Sequence, residues 1–332
     1  MPRRTLGLEQ IQVRPGRNRK HRLAPDLSNF EGEDLLQLFY GFFARMPPDH
    51  LVDERRSRYI RIDDVLANGR AVTVVAESGY YGDAGQTIDV KTHKTSHTRS
   101  LTESATVRTR LMFVLPPKQQ TGLFLVERQG LVGAGHDLID EFRRALTAKY
   151  AQHSFDTDNV LYPDAWAQGA ELLEVEAVAY SYAPDLADGL MAKGAPIGML
   201  RQSLVPSRGA GGVLPSALYK ALRTHQVKTS QLLAFPNGET IDDTFVTVRR
   251  DGQKKTFALD HDKSPSIRVE ITSEGERPLT DTPFIRRCQS EARDFYETLG
   301  VEWREEWAVG TWTDEQRSRT LAPHRPQDDS TA

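Results

Sequence analysis

The chain has 332 residues, of which 38% are hydrophobic and 27% charged, a globular composition that excludes a disordered or fibrous protein. Its length predicts two domains, since a domain usually has roughly 100–200 residues. Cys288 is the sole cysteine, so an intramolecular disulfide is excluded. The sequence shows neither a secretory signal nor an apolar run near the ~20 residues of a membrane span. It therefore predicts a cytoplasmic protein with no membrane partner.

The net charge of −3 is unevenly distributed along the chain. The first 25 residues hold seven Arg or Lys side chains and one Glu, a net charge of +6, so the remaining residues carry −9. A basic segment on an acidic protein favours a nucleic-acid partner. Because this segment also contains Pro2, Pro15, Gly16 and Pro25 and no sustained apolar period, residues 1–30 are predicted to be a flexible basic arm.

Residues 31–152 are predicted to form an N-terminal α+β domain, a mostly antiparallel sheet packed with a few helices. Apolar residues after Asp34 predict a helix that ends before Pro47. The amphipathic pattern around Phe142 predicts a second helix that begins near Asp137. Strands are predicted over 59–63, 71–77, 87–91, 107–115 and 122–128.

The polar passage 153–168 is predicted to be a linker, and residues 169–319 a C-terminal α+β domain of the same kind. Its clearest helix has Thr282 as the predicted cap and Pro283 at its first position. Residues 320–332 are predicted to be a disordered tail. Further helices are predicted over 186–192 and 215–225, and strands over 172–182, 197–205, 244–250, 255–259, 266–272 and 301–312.

A basic loop, DVKTHKTSHTRS over residues 89–100, is the first candidate site. Ammonium, guanidinium and hydroxyl groups together can bind phosphates. Arg108 and Arg110 lie two apart on the next predicted strand, so they project from one face and extend the loop's positive charge. The alternative is a solvated hairpin tip, which is the commoner structure for a charged loop. The predicted nucleic-acid-binding residues, from the arm, the loop and this strand, are Arg14, Arg17, Arg19, Lys20, Lys91, Lys94, Arg99, Arg108 and Arg110.

Two glycine-rich loops each join a predicted strand to a predicted helix. Bare amides at a helix N-terminus bind anions, but the acidic first turn after GLVGAGH would repel one. The loop PSRGAGG, which leads to the helix at Pro215, has no such acids. Its predicted phosphate-binding residues are Arg208, Gly209, Gly211 and Gly212. Neither loop matches a known nucleotide-binding motif, so a flexible surface connection is the commoner alternative.

Acidic residues near the end of the 255–259 strand suggest a second kind of site. Asp260–Asp262 and Glu270 could hold a divalent metal for phosphodiester hydrolysis. Thr272 stands where a nuclease of the restriction type would have a lysine, which argues against this chemistry. His93 and His97 also lack a third metal ligand. No catalytic residue and no cofactor is predicted, apart from a divalent metal under the nuclease hypothesis.

Three hypotheses for function follow from these features. The first is a bacterial nucleic-acid-binding or accessory protein, of a defence system or a mobile element. The second is a metal-dependent nuclease or a nucleotide-using enzyme. The third is a structural or regulatory subunit that acts through a protein partner or as a homo-oligomer, with Trp303 and Trp307 at the contact.

Overall fold

The computed structural model describes residues 2–16, 23–130, 132–160, 170–182, 198–207, 212–223, 226–234, 241–250, 253–259 and 268–324. The chain divides into two compact units. The first comprises Met1–Asp158 and Ile271–Ala332, and the second comprises Asn159–Glu270. Each unit contains an antiparallel sheet and helices, so the predicted α+β class is confirmed.

The strands are β1 (Arg4–Pro15), β2 (Val52–Asp53), β3 (Arg58–Asn68), β4 (Ala71–Tyr80), β5 (Gly85–Ile88), β6 (Thr95–Arg99), β7 (Ala105–Val114), β8 (Thr121–Gln129), β9 (His153–Asn159), β10 (Glu171–Tyr182), β11 (Gly198–Leu204), β12 (Asp243–Arg250), β13 (Gln253–Leu259) and β14 (Arg268–Thr272). The α-helices of the described residues are α1 (Leu35–Ala44), α2 (Gly135–Lys149), α3 (Ser216–Arg223), α4 (Thr229–Leu232), α5 (Asp281–Thr298) and α6 (Asp314–Ser318).

The first unit is organised around a sheet with the order β1-β8-β7-β4-β3-β2, in which all neighbours are antiparallel. Strand β9 also pairs with β1, and β5 with β6 forms a separate two-stranded hairpin. The second unit has the order β11-β10-β12-β13-β14, again antiparallel. Within it, the buried pair Arg268 and Asp243 joins β14 to β12 through a 2.7 Å hydrogen bond.

Helices α1 and α2 cover one face of the first unit's sheet. Asp34 caps α1, since its carboxylate accepts a hydrogen bond from the Leu36 N–H at 2.9 Å. The ring of Phe39 on α1 packs edge-on against Phe142 of α2 at 5.1 Å, and it lies tilted against Phe113 of β7, also at 5.1 Å. Both predicted helices are thus confirmed, and they enclose an aromatic core with the sheet.

Helix α5 covers the opposite face of this sheet. The buried Tyr296 hydroxyl donates to the carbonyls of Val114 and Thr121, at 3.0 and 3.1 Å. The helix begins two residues earlier than predicted, because Thr280 and not Thr282 is its N-cap. Pro283 is therefore its third residue, where its missing N–H is no loss, since the first four N–H groups of a helix have no intrahelical partner.

The prediction of a flexible arm over residues 1–30 is wrong for the described residues. Strand β1 is paired with β8 from Arg4 to Gln12 and lies inside the sheet. Leu8 is buried on the α5 face and Ile11 on the α1 and α2 face, so both sides of the strand are covered. Leu27 and Phe30 are also buried, which the amphipathic mixture of charged and apolar residues concealed.

The predicted domain limits agree only in part with the two units. The passage 153–168 includes the boundary after Asp158, but its first seven residues form β9, and 161–169 lie outside the described residues. The second unit ends at Glu270, not at 319, because α5 packs on the first unit's sheet. The predicted helix over 186–192 lies outside the described residues.

The segment after α5 is not the predicted strand over 301–312. It contains a 3-10 turn at Glu305–Trp307, and the Trp307 carbonyl accepts a hydrogen bond from the Arg70 N–H at 2.8 Å. The predicted tail is also packed where it is described, since Leu321 is buried in the first unit's core. Residues 325–332 lie outside the described residues.

Candidate nucleic-acid-binding hairpin

The β5–β6 hairpin of the first unit is highly exposed, with every residue from Gln86 to Thr98 exposed. Its turn is held by Asp89, whose carboxylate accepts hydrogen bonds from the backbone N–H groups of Thr92 and Lys91, at 2.9 and 2.8 Å. These hydrogen bonds lower the pKa of Asp89 below its ordinary value. The turn closes where His93 adopts a left-handed backbone with φ of 55°. The tip is therefore a fixed turn on an exposed ribbon.

Lys91 and Lys94 lie on this tip, within the predicted basic loop, and both side chains are exposed. The strand predicted over 87–91 ends at Ile88, so Lys91 lies in the turn. Within the part of the chain that the structure describes, neither lysine makes an ion pair. Arg99 lies at the base of the hairpin and is half-buried. Its Nε donates to the Asp83 carbonyl at 3.2 Å, and its two Nη atoms have no hydrogen-bond partner among the described residues. The hairpin thus offers three cations that make no ion pair with a described carboxylate.

Arg110 is not part of this surface, contrary to the prediction. Its side chain is 4% exposed and donates to both carboxylate oxygens of the fully buried Glu127, at 2.7 and 3.0 Å. A third hydrogen bond runs to Asp281 of α5 at 3.1 Å. The guanidinium also lies 4.0 Å over the Phe284 ring. The group is therefore committed to joining the sheet to α5, and phosphate contact is excluded for it.

Arg108 and Arg14 are also paired with acids. Arg108 shares a face with Arg110 as predicted, but α5 covers that face, and Arg108 donates to Asp281 at 3.2 Å. Its side chain remains 53% exposed. Arg14 on β1 donates to Asp156 of β9 at 2.9 Å. Both side chains link elements of the first unit, so neither is a free cation of the kind the arm hypothesis requires.

Several predicted site residues lie outside the described residues. They are Arg17, Arg19 and Lys20 of the predicted arm, Arg208, Gly209 and Gly211 of the glycine loop, and Asp260, His261 and Asp262 of the acidic site. Gly212 is described, with φ of 76° and open space where a side chain would be. The left-handed backbone explains a glycine at this position without a ligand.

A cavity of about 660 Å³ lies at the base of the hairpin, in the first unit. The hairpin contributes Arg99 and His97 to its lining, strand β3 contributes Tyr59, and Tyr81 follows the end of β4. His97 Nε2 lies 3.2 Å from a carboxylate oxygen of Glu103, the cavity's acidic residue. A hydrogen bond from the Ser100 backbone N–H lowers the pKa of this carboxyl, which is thus ionised near neutral pH. Sequence reasoning found the two hairpin residues but neither tyrosine.

Gly79 on β4 shapes this cavity. A Cβ atom at this position would lie 2.2 Å from the Ala105 carbonyl oxygen and 2.6 Å from the Ser104 hydroxyl. The bare backbone therefore lets the connection between β6 and β7 lie directly on the sheet. Since Ser104 and Ala105 both line the cavity, this close approach places one of its walls.

Neither a metal-ligand cluster nor an accessible cysteine is found among the described residues. No three His, Cys, Asp or Glu side chains in that part of the chain lie together as metal ligands. Glu270 is described, but its predicted partners Asp260–Asp262 are not. Cys288 is buried on α5, and this burial raises the pKa of its thiol well above the ordinary value. A thiol that stays protonated inside the fold is a poor nucleophile.

Comparison of the chain with protein-family models, with curated proteins and with solved structures finds no match. Function therefore has to be inferred from the residues themselves. No helix among the described residues combines the length and the apolar composition that a membrane crossing requires.

Proposed function

We propose that this protein binds nucleic acid, largely independently of its base sequence, through the β5–β6 hairpin. The observation that carries the proposal is the pair of exposed lysines, Lys91 and Lys94, on a fixed turn, with no ion pair to any described residue. An exposed lysine that has no carboxylate partner keeps its full charge for a phosphate. Lysine is a compact point charge, so it favours backbone contact over base reading.

The shape and charge of the hairpin agree with this function. A two-stranded ribbon fits the major groove of a duplex or lies along a phosphate backbone. The chain as a whole carries a net charge of −3, which opposes a wide polyanion interface. Binding is therefore expected to be local, modest in affinity and steeply dependent on salt. An accessory role in the cytoplasm, in bacterial defence or on a mobile element, remains a prediction from the sequence.

The other two hypotheses receive less support. A metal-dependent nuclease depends on Asp260–Asp262, which lie outside the described residues. For a subunit that acts through protein contacts, Trp303 and Trp307 were the predicted surface. Trp307 is buried and packs edge-on against Trp303 at 5.6 Å, while its carbonyl binds Arg70. These rings stabilise the first unit, so they do not favour a partner.

A fluorescence-anisotropy titration at low salt tests the proposal. Wild type should bind both a 20-base single strand and a 20-base-pair duplex, and Lys91→Ala/Lys94→Ala should bind both more weakly. The matched control is Lys220→Ala/Lys228→Ala, which removes two exposed lysines of the second unit. This control should bind as wild type does. If wild type binds no strand at low salt, or if both double variants lose equal affinity, the proposal is wrong.

A further inference from the structure

The cavity at the base of the hairpin is lined by a cation and by aromatic side chains, and it includes neither Lys91 nor Lys94. Its volume of about 660 Å³ lies within the roughly 300–1,000 Å³ typical of small-molecule sites. The hairpin supplies the cation Arg99, and two aromatic side chains come from Tyr59 on β3 and from Tyr81 just after β4. Cation and aromatic rings therefore line one cavity although they come from different parts of the chain.

Arg99 is available to an anion in this cavity. It makes one hydrogen bond, from Nε to the Asp83 carbonyl, and this contact holds the side chain while its outer N–H groups stay without a partner among the described residues. In the hairpin register Arg99 is opposite Gly85, where a Cβ atom would lie 3.5 Å from Nη2, so the glycine leaves room for the guanidinium. The one acidic side chain in the lining, Glu103, is bonded to His97 and to the Ser100 N–H instead. A guanidinium with free N–H groups binds phosphate oxygens well.

Tyr59 and Tyr81 give the cavity an aromatic lining. Both are half-buried, so part of each side chain is fixed in the fold and part remains accessible. Tyr59 is flanked on β3 by the buried residues Arg58 and Ile60, and alternation along the strand therefore places it on the face away from the core. Nucleic-acid bases stack on such rings with little regard to base identity.

We propose that this cavity binds one nucleotide of a single strand, with its base against Tyr59 and Tyr81 and its phosphate at Arg99. The inference rests on the proposed function, because the lysines of the hairpin hold the neighbouring phosphates. A base can enter the cavity only when it is unpaired and unstacked, which selects single strands over duplexes. DNA and RNA single strands share this base and phosphate chemistry, and the experiment uses both.

The first test needs no variant. Wild-type affinity is measured by anisotropy for a 15-base oligothymidine, a 15-base oligouridine and an abasic 15-mer with the same phosphates. Stacking of a base on an aromatic ring predicts that wild type binds the strands with bases about fivefold or more tightly than the abasic strand. Equal affinity for the abasic strand and the strands with bases would overturn the inference, while leaving the proposed phosphate contacts intact.

The second test assigns the binding to the cavity. Tyr81→Leu and Tyr59→Leu should each bind oligothymidine about fivefold more weakly or worse, and should bind a duplex as wild type does. The matched control is Tyr80→Leu, the neighbouring tyrosine, which is 60% exposed and does not line the cavity. Arg99→Gln should make the salt dependence of single-strand binding shallower by about 0.7 in log–log slope.

The outcomes separate the two proposals. If the tyrosine variants bind single strands as wild type does while Lys91→Ala/Lys94→Ala is weakened, the hairpin binds nucleic acid and the cavity does not. If Tyr80→Leu is weakened as much as Tyr81→Leu, the cavity assignment is also wrong. If wild type binds no single strand and no duplex, both proposals fail together.

Discussion

Replacing Arg110 with methionine should destabilise the first unit by about 3 kcal/mol, the lower end of the range for removing one partner of a buried ion pair. Glu127, which has no exposed surface, would lose its hydrogen bonds of 2.7 and 3.0 Å from Arg110 and keep the one of 2.8 Å from Arg4. Because Arg4 still pairs with Glu127, we expect a destabilisation at the lower end of that range. Methionine keeps an apolar stem near Phe284, so the loss is mainly electrostatic.

The matched control for this substitution is Arg108→Met, two residues earlier on the same face of β7. Arg108 is 53% exposed and its partner Asp281 37%, so its loss should cost less than about 1 kcal/mol. Thermal unfolding is followed by tryptophan fluorescence, since Trp303, Trp307 and Trp312 report on the first unit. For a unit of this size 3 kcal/mol corresponds to roughly 6–12 °C in Tm.

Arg110→Met should bind nucleic acid as wild type does, at a temperature where it is folded. If Arg110→Met has the same Tm as wild type but binds nucleic acid more weakly, the structural role of Arg110 is refuted. It would return this side chain to the nucleic-acid surface that the sequence predicted.

Two further predictions concern stability. Burial alone would raise the pKa of Glu33, but hydrogen bonds from Lys149 and Tyr150 outweigh it and lower that pKa below 4.5. A carboxyl with a lowered folded pKa stabilises above its unfolded pKa, so Tyr150→Phe should cost about 1 kcal/mol at pH 7 and less at pH 3. Urea unfolding at both pH values checks this, and an equal loss at both would contradict it. Leu321→Ala should cost about 2 kcal/mol or more because its side chain is buried, whereas an unchanged urea midpoint would show that the tail is unpacked.

Local patterns predicted most of the first unit's elements, and the exceptions have physical causes. In β1 the buried leucines Leu6 and Leu8 occupy even positions, while Ile11 and Val13 occupy odd ones. The buried apolar side chains therefore lie on one face in the first half of the strand and on the other face in the second half. This shift hides the simple period of two that identifies a strand. Its partner β8 lies more than 100 residues away, beyond any sequence window.

In the candidate site, too, local sequence predicted some residues correctly and others wrongly. Charge density placed Lys91 and Lys94 in a basic loop, for which an exposed hairpin tip was the alternative structure. A short hairpin is determined by its own sequence, so the local sequence contained this part of the site. Arg110 lies in a stretch of sequence as basic as that of the two lysines, but its partners Glu127 and Asp281 lie 17 and 171 residues away. Burial by such distant residues decides between a structural and a binding arginine. Local sequence contains no sign of it.

The aromatic half of the cavity was missed for a related reason. Tyr59 precedes the buried Ile60 on β3 and reads as an ordinary strand tyrosine. Tyr81 stands just beyond β4 and reads as a turn residue. Only the folding of the β5–β6 hairpin beside the sheet edge brings both rings into one cavity with Arg99.

The salt dependence of duplex affinity tests the central claim most directly. Each phosphate neutralised on a duplex contributes about −0.9 to the slope of log affinity against log salt. Lys91→Ala/Lys94→Ala should therefore have a slope about 1.8 shallower than wild type, so that between 50 and 200 mM salt wild-type affinity falls about 12-fold more than the variant's. The control Lys220→Ala/Lys228→Ala should keep the wild-type slope. Equal slopes for wild type and Lys91→Ala/Lys94→Ala would show that the hairpin lysines contact no phosphate, and would contradict the proposed function.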